Sequence, residues 1–207
     1  MDRTGIPYLF SSLAVLVIGI LIGATVGAIL VIFGVMCAVV TIFFFRDPNR
    51  KVPTDKNAIV SPADGRVIST DDVHNAEIGD AKRICIFMSP FNVHINRSPT
   101  DGSVVNVRHF SGKFHRAFME NASLENEHTD MLMHTSSGKI IVKQIAGIIA
   151  RRIVCRAKEG DRLCRGQKYG IIHFGSRVEL LLPENLNIVV EPGQKVKAGE
   201  TIVATGN

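Results

Sequence analysis

The chain has 207 residues, enough for one domain of ordinary size and an additional segment, and a formal net charge of +5 from 24 Lys and Arg against 19 Asp and Glu. This charge would suit a nucleic-acid-binding protein, but the chain has no Trp, no basic helix and no motif of interleaved aromatic and basic residues. We therefore exclude nucleic acid and expect anionic lipid headgroups to be the partner of the basic surface, part of which is simply solvated.

The first predicted element is an apolar segment, because residues 8–45 contain no Asp, Glu, Lys, Arg or His. One straight helix of this length would extend about 57 Å, against a hydrocarbon core of about 30 Å. Two shorter helices that reverse at "GATVG", residues 23–27, fit a bilayer better, since paired glycines favour a turn. We predict a transmembrane helical hairpin over residues 8–45, within a membrane anchor that comprises residues 1–50.

A signal peptide and a buried core helix are the alternatives for this segment. The apolar run is too long for a signal peptide, and "FFFRDPNRK" follows it where a cleavage site would be expected. A core helix is rarely free of charge over such a length. Basic residues on both sides, among them Arg3, Arg46 and Arg50, favour the cytoplasmic side for both ends. We expect a cell-membrane protein whose soluble domain faces the cytoplasm.

Residues 51–207 are predicted to form a β-rich catalytic domain. Short runs of β-branched residues alternate with Gly, Pro and Asp, as in "AIVSPADGRVIS", "RICIFMS" and "VELLLP". Residues 158–167 and 191–200 each contain a Gly, an apolar residue three positions on, and a second Gly three further, similar to lipoyl- and biotin-carrier sandwiches. We predict a mainly β fold, sandwich or barrel, with lipoyl-carrier-like repeats and one or two short helices.

One segment, "GKFHRAFMENASLENEH" at 112–128, lacks the alternation of a strand. Phe110, Phe114 and Phe118 lie four residues apart and Ala122 continues the series, which is helical spacing. Two interpretations remain for this helix: it covers one face of the sheet, or its aromatic face contacts lipid.

We predict no metal site. The seven histidines form no HxH or HxxxH pair with a carboxylate, and the four cysteines lack paired ligand spacing. Cysteines of this kind are typical of reduced, structural thiols in a reducing compartment.

Three short motifs contain residues suited to chemistry, and each also has a structural explanation. His94 lies in "MSPFNVHINRSP", but a lone histidine in an apolar strand is more often a hydrogen-bonded core residue. Asp64 lies in "SPADGRV", where Asp-Gly is a common hairpin turn. Gly175 and Ser176 interrupt the strand-like run "HFGSRVELLLP", where a β-bulge is the simplest explanation.

Together these motifs resemble the phosphatidylserine decarboxylase family, in its short pyruvoyl-dependent form, over nearly the whole chain. "FFFRDPNR" is similar to the sequence that follows the membrane segment there. "SPADGRV" and "MSPFNVHINRSP" resemble the family's aspartate and histidine motifs. "ASLENEHTD" resembles a segment that usually reads Asn-Glu-Arg, and "FGS" matches the self-cleavage site. Because these five motifs occur in the same order as in the family, the resemblance is specific.

The resemblance implies a proenzyme that cleaves itself between Gly175 and Ser176. Ser176 is implied as the nucleophile, His94 as its base and Asp64 as the carboxylate that orients the base. Serine needs such a base because its hydroxyl is a weak nucleophile. Gly175 has no Cβ to crowd the attack, and tolerates a strained backbone.

The implied products are residues 1–175 and 176–207, which stay associated, the second beginning with a covalent pyruvoyl group derived from Ser176. This group would form a Schiff base with the amine of phosphatidylserine and accept the electrons released with carbon dioxide, giving phosphatidylethanolamine. No dissociable cofactor is implied. His94 is also a candidate proton donor in this second reaction.

Three departures from the family pattern bear on the site. The second histidine of long-form members is Arg97 here, the usual Gly-Ser-Thr is Gly-Ser-Arg, and the arginine of Asn-Glu-Arg is His128. Either His94 serves both proton transfers, or another histidine such as His115 or His128 assists. As candidates for binding the headgroup phosphate we name Arg97, Lys113, Arg116 and His128.

Two alternatives to this function remain. One is a membrane-anchored, non-enzymatic adaptor of lipoyl-carrier type, which has no use for cleavage at Gly-Ser. The other is a pyruvoyl-dependent decarboxylase of another amine or of an ether-linked lipid. The expected partners are a phospholipid membrane and the chain's own cleaved fragments, and the oligomeric state stays open, a homo-oligomer included.

Overall fold

The computed structural model describes residues 1–55, 57–113, 125–147, 152–173 and 176–206. The chain divides into two compact units, Met1–Pro48 and Asn49–Asn207.

The first unit is a pair of apolar helices. A short 3-10 turn, Arg3–Gly5, leads into α1 (Ile6–Ile22), and α2 (Ala24–Phe44) follows after Gly23. Gly23 has a φ of 63°, a left-handed conformation that glycine adopts at little cost, so the chain reverses there. A Cβ on Gly27 would lie 2.4 Å from the carbonyl oxygen of Gly19, so these glycines allow the two backbones to approach.

Both helices are long and apolar enough to cross a membrane. α1 has 17 residues and α2 has 21, which correspond to about 26 and 32 Å at about 1.5 Å per residue. Mostly exposed apolar side chains cover them, as lipid-facing helices require. The prediction of two short apolar helices in place of one long one is confirmed.

The second unit is built from β-strands. The strands among the described residues are β1 (Ala58–Val60), β2 (Gly65–Asn75), β3 (Gly79–Met88), β4 (Ile95–Arg97), β5 (Gly102–Phe110), β6 (His128–Thr135), β7 (Gly138–Ile145), β8 (Ile153–Cys155), β9 (Arg162–Leu163), β10 (Lys168–Ile172), β11 (Ser176–Pro183), β12 (Asn187–Ile188), β13 (Lys195–Val196) and β14 (Ile202–Thr205). The prediction of a mainly β fold is confirmed.

Antiparallel pairing organises these strands into one large and two small sheets. The large sheet has the order β13-β2-β3-β11-β7-β6-β5-β9, and the small sheets have the orders β1-β14-β12 and β4-β10-β8. Alternate side chains of β11, Val178, Leu180 and Leu182, are fully buried in the main core. Each such side chain contributes about 1.5–3 kcal/mol by its burial. β11 is therefore held from both sides at the centre of the large sheet.

The two glycine segments noted in the sequence have the same local structure. All four glycines have positive φ, and they flank the short strands β9 and β13. The sequence contains a second repeat, "SPADGRV" at 61–67 and "SPTDGSV" at 98–104. Residues 191–200 pair with the first copy, and residues 158–167 pair with the second. We call residues 61–67 with 191–200 the Asp64 module, and residues 98–104 with 158–167 the Asp101 module.

Equivalent backbone hydrogen bonds hold the two modules. In the Asp64 module the Gly193 N–H donates to the Val67 carbonyl over 2.8 Å, and the Val67 N–H donates to Gln194 over 2.9 Å. In the Asp101 module the corresponding bonds, from Gly160 to Val104 and from Val104 to Asp161, measure 2.9 and 2.8 Å. The domain therefore contains an internal duplication, while its likeness to lipoyl carriers stays a prediction.

The aromatic series predicted to lie on one helix does not begin on a helix. Phe110 is the last residue of strand β5, where its ring stacks on His128 with centroids 4.7 Å apart. Phe114, Phe118 and Ala122 lie outside the described residues, so the helix itself stays a prediction.

Candidate active site

Ser176 begins a strand in the interior of the β-rich unit. It is the first residue of β11 and pairs with Met88, the last residue of β3. Its side chain is fully buried, and Oγ lies 3.4 Å from the Met88 sulfur. Gly175 lies outside the described residues. The hydroxyl thus sits at a strand end that is shielded from water.

His94 lies against the chain that leads to Ser176. It directly precedes β4 and is fully buried. Its carbonyl accepts a hydrogen bond of 3.3 Å from the N–H of Ile172, which ends β10. Three residues separate Ile172 from Ser176 along the chain, and β10 with β4 belongs to a small sheet whereas β11 belongs to the large one. His94 therefore contacts the end of the strand that precedes Ser176, and the geometry between the predicted base and the predicted nucleophile stays a prediction.

A buried amide pair supports this region. The Gln144 side chain on β7 donates to Oδ1 of Asn96 on β4 over 2.8 Å. Asn96 Nδ2 lies 3.8 Å from the sulfur of Met88, the same sulfur that Ser176 contacts. Both amides are at most 1% exposed. Sequence reasoning missed them; the signal was an amide at a core-facing position in each of two apolar strands.

Asp64 is held mainly by Arg50. Nη2 of Arg50 lies 2.9 Å from each carboxylate oxygen, with side chains 6% and 12% exposed, and the Ala198 N–H donates to Oδ1 over 2.8 Å. The Asp101 module has an equivalent backbone bond, from the Arg165 N–H to Asp101 over 2.8 Å. Within the described ranges the hydrogen bonds of Asp64 go to Arg50 and Ala198, so its predicted role in orienting His94 stays a prediction.

Arg50→Met is expected to lower the free energy of unfolding by about 3–5 kcal/mol, because it leaves a buried carboxylate without its partner. Thermal and urea unfolding followed by circular dichroism in detergent would measure the loss. The double variant Arg50→Met/Asp64→Asn should recover part of it, since the uncompensated charge is gone. Lys51→Met is the matched control, because Lys51 is exposed and its bond to Glu200 comes from the backbone N–H. A loss equal to that of Lys51→Met would contradict this assignment.

Two of the predicted phosphate-binding residues have other partners. Nη1 of Arg97 donates to the Gly166 carbonyl over 3.0 Å. Nζ of Lys113 lies 3.3 Å from a carboxylate oxygen of Glu125, and the lysine side chain is 72% exposed. A contact so exposed contributes little stability, so Lys113 remains able to exchange it for another anion.

The other two predicted phosphate-binding residues are His128 and Arg116. The Nδ1 of His128 donates to the Asn126 carbonyl over 2.7 Å, and its ring packs on Phe110. Arg116 lies outside the described residues. The predicted phosphate site thus stays untested by the geometry.

The residue after Ser176 forms a buried ion pair on the opposite face of β11. Arg177 contacts the carboxylate of Glu179, and both side chains are at most 4% exposed. Nη2 of Arg177 also lies 3.0 Å from the sulfur of Cys85 on β3. Burial raises the pKa of the Cys85 thiol and the Glu179 carboxylate adds to the rise, so this cysteine stays protonated. The four cysteines are all free.

Within the described part of the chain, no group of three or more His, Cys, Asp or Glu side chains is placed to hold a metal ion.

The family model described as phosphatidylserine decarboxylase matches residues 38–204. Three relatives named phosphatidylserine decarboxylase proenzyme illustrate the similarity. The protein of Citrifermentans bemidjiense is 46% identical over 89% of this chain and 82% of its own length. Those of Nitratidesulfovibrio vulgaris and Geobacter metallireducens are 50% and 41% identical, over 78% and 96% of this chain and 75% and 93% of their own lengths.

Proposed function

The chain belongs to the phosphatidylserine decarboxylase family, and from this we propose that it is a self-cleaving proenzyme that converts phosphatidylserine to phosphatidylethanolamine. The observation that carries the proposal is the junction between β10 and β11. There the last residue of β10, in a small sheet, is bonded to His94, and the buried Ser176 begins β11 of the large sheet.

Self-cleavage begins with attack of the Ser176 oxygen on the carbonyl carbon of Gly175. His94 would take the hydroxyl proton, and Asp64, whose described hydrogen bonds go to Arg50 and Ala198, would support its charge. The amide becomes an ester, whose elimination releases residues 1–175 with a terminal carboxylate and leaves dehydroalanine at 176. Addition of water and loss of ammonia then produce a pyruvoyl group. These steps need no outside reagent other than water.

The surroundings of Ser176 fit a pyruvoyl group. Met88 flanks it on β3, and the pairing of Arg177 with Ile145 places the buried Ala146 beside it on the other side. Among the described residues the buried Oε1 of Gln144 has no hydrogen-bond partner, which leaves an acceptor for a polar group of the substrate. The pyruvoyl group would supply a carbonyl that binds the substrate amine and takes up the electron pair released with carbon dioxide.

The protein's own side chains would then control the reaction. His94 would return a proton to the substrate carbon after decarboxylation, since imidazole transfers protons near neutral pH. The apolar walls and the Asn96–Gln144 pair exclude water and fix the geometry.

The strand pairing explains why the two fragments would stay together. β11 pairs with β3 at eight positions and with β7 at five, and β13 and β14 pair with β2 and β1. Residues 176–207 thus contribute strands to two sheets, and their main-chain hydrogen bonds do not depend on the bond at 175–176. Both fragments are required for either sheet.

We also propose that residues 1–50 anchor the enzyme in the cell membrane and that residues 51–207, the catalytic domain, face the cytoplasm. The two apolar helices and the basic residues on both sides of them support this orientation. An anchor suits a substrate that resides in the bilayer.

The wild-type protein provides the test of this function. Purified protein should show two fragments on a denaturing gel, the smaller with a blocked N-terminus, and should release carbon dioxide from phosphatidylserine vesicles but not from free serine. A single unmodified chain would favour the adaptor, and turnover of free serine would favour a decarboxylase of soluble amines. An ether-linked serine lipid offered beside the diacyl lipid distinguishes these two substrates.

A further inference from the structure

A cleft of about 480 Å³ opens in the Asp64 module, and three cationic side chains line it. Arg66 comes from β2, and Lys195 and Lys197 come from β13 and the residue after it. All three are exposed. The other walls include Asp64 and Ser89. The charge of Asp64 is compensated by Arg50, so the cleft is positively charged.

Two of these cations lie directly opposite each other. Lys195 is the cross-strand partner of Arg66 in the antiparallel pairing of β13 with β2. Like charges at directly opposite positions destabilise a sheet. Arg66 uses one nitrogen to donate to the Gly193 carbonyl over 2.6 Å, which is one of the five donors of a guanidinium. An anion bound between the two cations would relieve their repulsion.

The Asp101 module shows that the turns do not require this charge. A cleft also opens there, in the equivalent place. The corresponding positions are Arg66 and Ser103, Lys195 and Arg162, and Lys197 and Cys164. The same backbone arrangement therefore forms with one cation in place of three, so the turns do not require the extra cations of the Asp64 module.

The cationic cleft lies near the strand end that carries Ser176. Ser89 lines the cleft and directly follows Met88, the strand partner of Ser176. Arg66, Phe87 and Arg177 are in register on three neighbouring strands, so Arg66 and Arg177 are about 10 Å apart at two strand spacings. Arg66 and Arg177 project from the face of the sheet opposite to the Ser176 side chain, but the ketone of a pyruvoyl group would be the former Cα of Ser176, which lies in the plane of the sheet at the strand end. Around that strand end, the side chain of an arginine or lysine and the short N–Cα–Cβ–O–P linkage of a serine headgroup together span about 10 Å.

We propose that Arg66, Lys195 and Lys197 form a subsite for the phosphodiester of the substrate headgroup. The proposal rests on the proposed function and adds to it the residues that bind the phosphate. Charge-assisted hydrogen bonds from Arg and Lys are the interactions that proteins use for this anion.

The test uses full-length, processed protein in detergent and monomeric dihexanoyl phosphatidylserine as substrate. Arg66→Met and Lys195→Met should each raise KM about tenfold with kcat nearly unchanged, and the double variant should raise it further. The inhibition constant of glycerophosphoethanolamine, which cannot be decarboxylated, should rise in parallel. Lys195→Arg should restore both values. A gel that shows both fragments verifies that each variant has folded and processed.

Arg162→Met, the equivalent change in the Asp101 module, is the matched control and should behave as wild type. The proposal is overturned if the double variant matches Arg162→Met in both constants. It is equally overturned if KM rises with phosphatidylserine vesicles alone, because the cations would then attract an anionic bilayer and not the headgroup. Wild-type protein that releases no carbon dioxide from either form of the lipid would refute the proposed function, while glycerophosphoethanolamine binding would still report on the subsite.

Discussion

Ser176→Ala protein is expected to remain one unbroken chain of 207 residues and to release no carbon dioxide from phosphatidylserine. Alanine has no oxygen to attack the preceding carbonyl, so neither the cleavage nor the ketone can arise. The fold should survive, because the change removes one buried atom whose described contact is the Met88 sulfur at 3.4 Å. Intact mass, reaction with hydroxylamine and a carbon dioxide assay measure the three consequences separately.

Ser136→Ala is the matched control for this variant. Ser136 is exposed in the turn between β6 and β7, so its removal should leave processing and turnover at wild-type levels. If the Ser176→Ala protein still yields a fragment that begins at residue 176, another group cuts the chain, and the mechanism proposed here is wrong.

His94→Ala is expected to slow self-cleavage by about 10²–10⁴-fold, the usual contribution of a general base. The fragment that does form should also decarboxylate poorly, because the same imidazole is proposed to protonate the product. A time course of the 176–207 fragment gives the first effect. Turnover divided by the amount of hydroxylamine-reactive carbonyl gives the second, independently of how much protein has been processed.

His134→Ala serves as the comparison, since His134 is exposed on β6. Normal turnover per carbonyl in the His94→Ala protein would exclude His94 from the second reaction while leaving it in the first. Normal cleavage would exclude it from both, and Ser176 would then need another base.

The broad architecture was predictable because it depends on local patterns. A long uncharged run with paired glycines determines the two apolar helices, and alternating β-branched residues determine the strands. The position of Ser176 at the start of a strand could also be predicted. Val178, Leu180 and Leu182 follow it at every second position, which is the period of a strand with one buried face.

The contacts of the site could not be predicted in this way, because they depend on tertiary pairing. Arg50 and Asp64 lie on either side of strand β1 in the chain, and the Asn96–Gln144 pair joins strands of two different sheets. The duplication is visible in the sequence as "SPADGRV" and "SPTDGSV", but only the first of these two segments was interpreted as a motif. The structure identifies the two segments as copies, because Val67 and Val104 form equivalent backbone hydrogen bonds.

Because β11 lies at the centre of the large sheet, cleavage before it would change the unfolding equilibrium of the protein. A precursor unfolds and refolds as one molecule, but after the proposed cleavage β11, in the middle of the large sheet, would belong to a separate polypeptide. Its unfolding is then also a dissociation, so the midpoint depends on protein concentration. If cleavage occurs at 175–176 as proposed, recovery from denaturation would be a second-order association of a 32-residue peptide with residues 1–175, so the processed protein would refold less readily than its precursor.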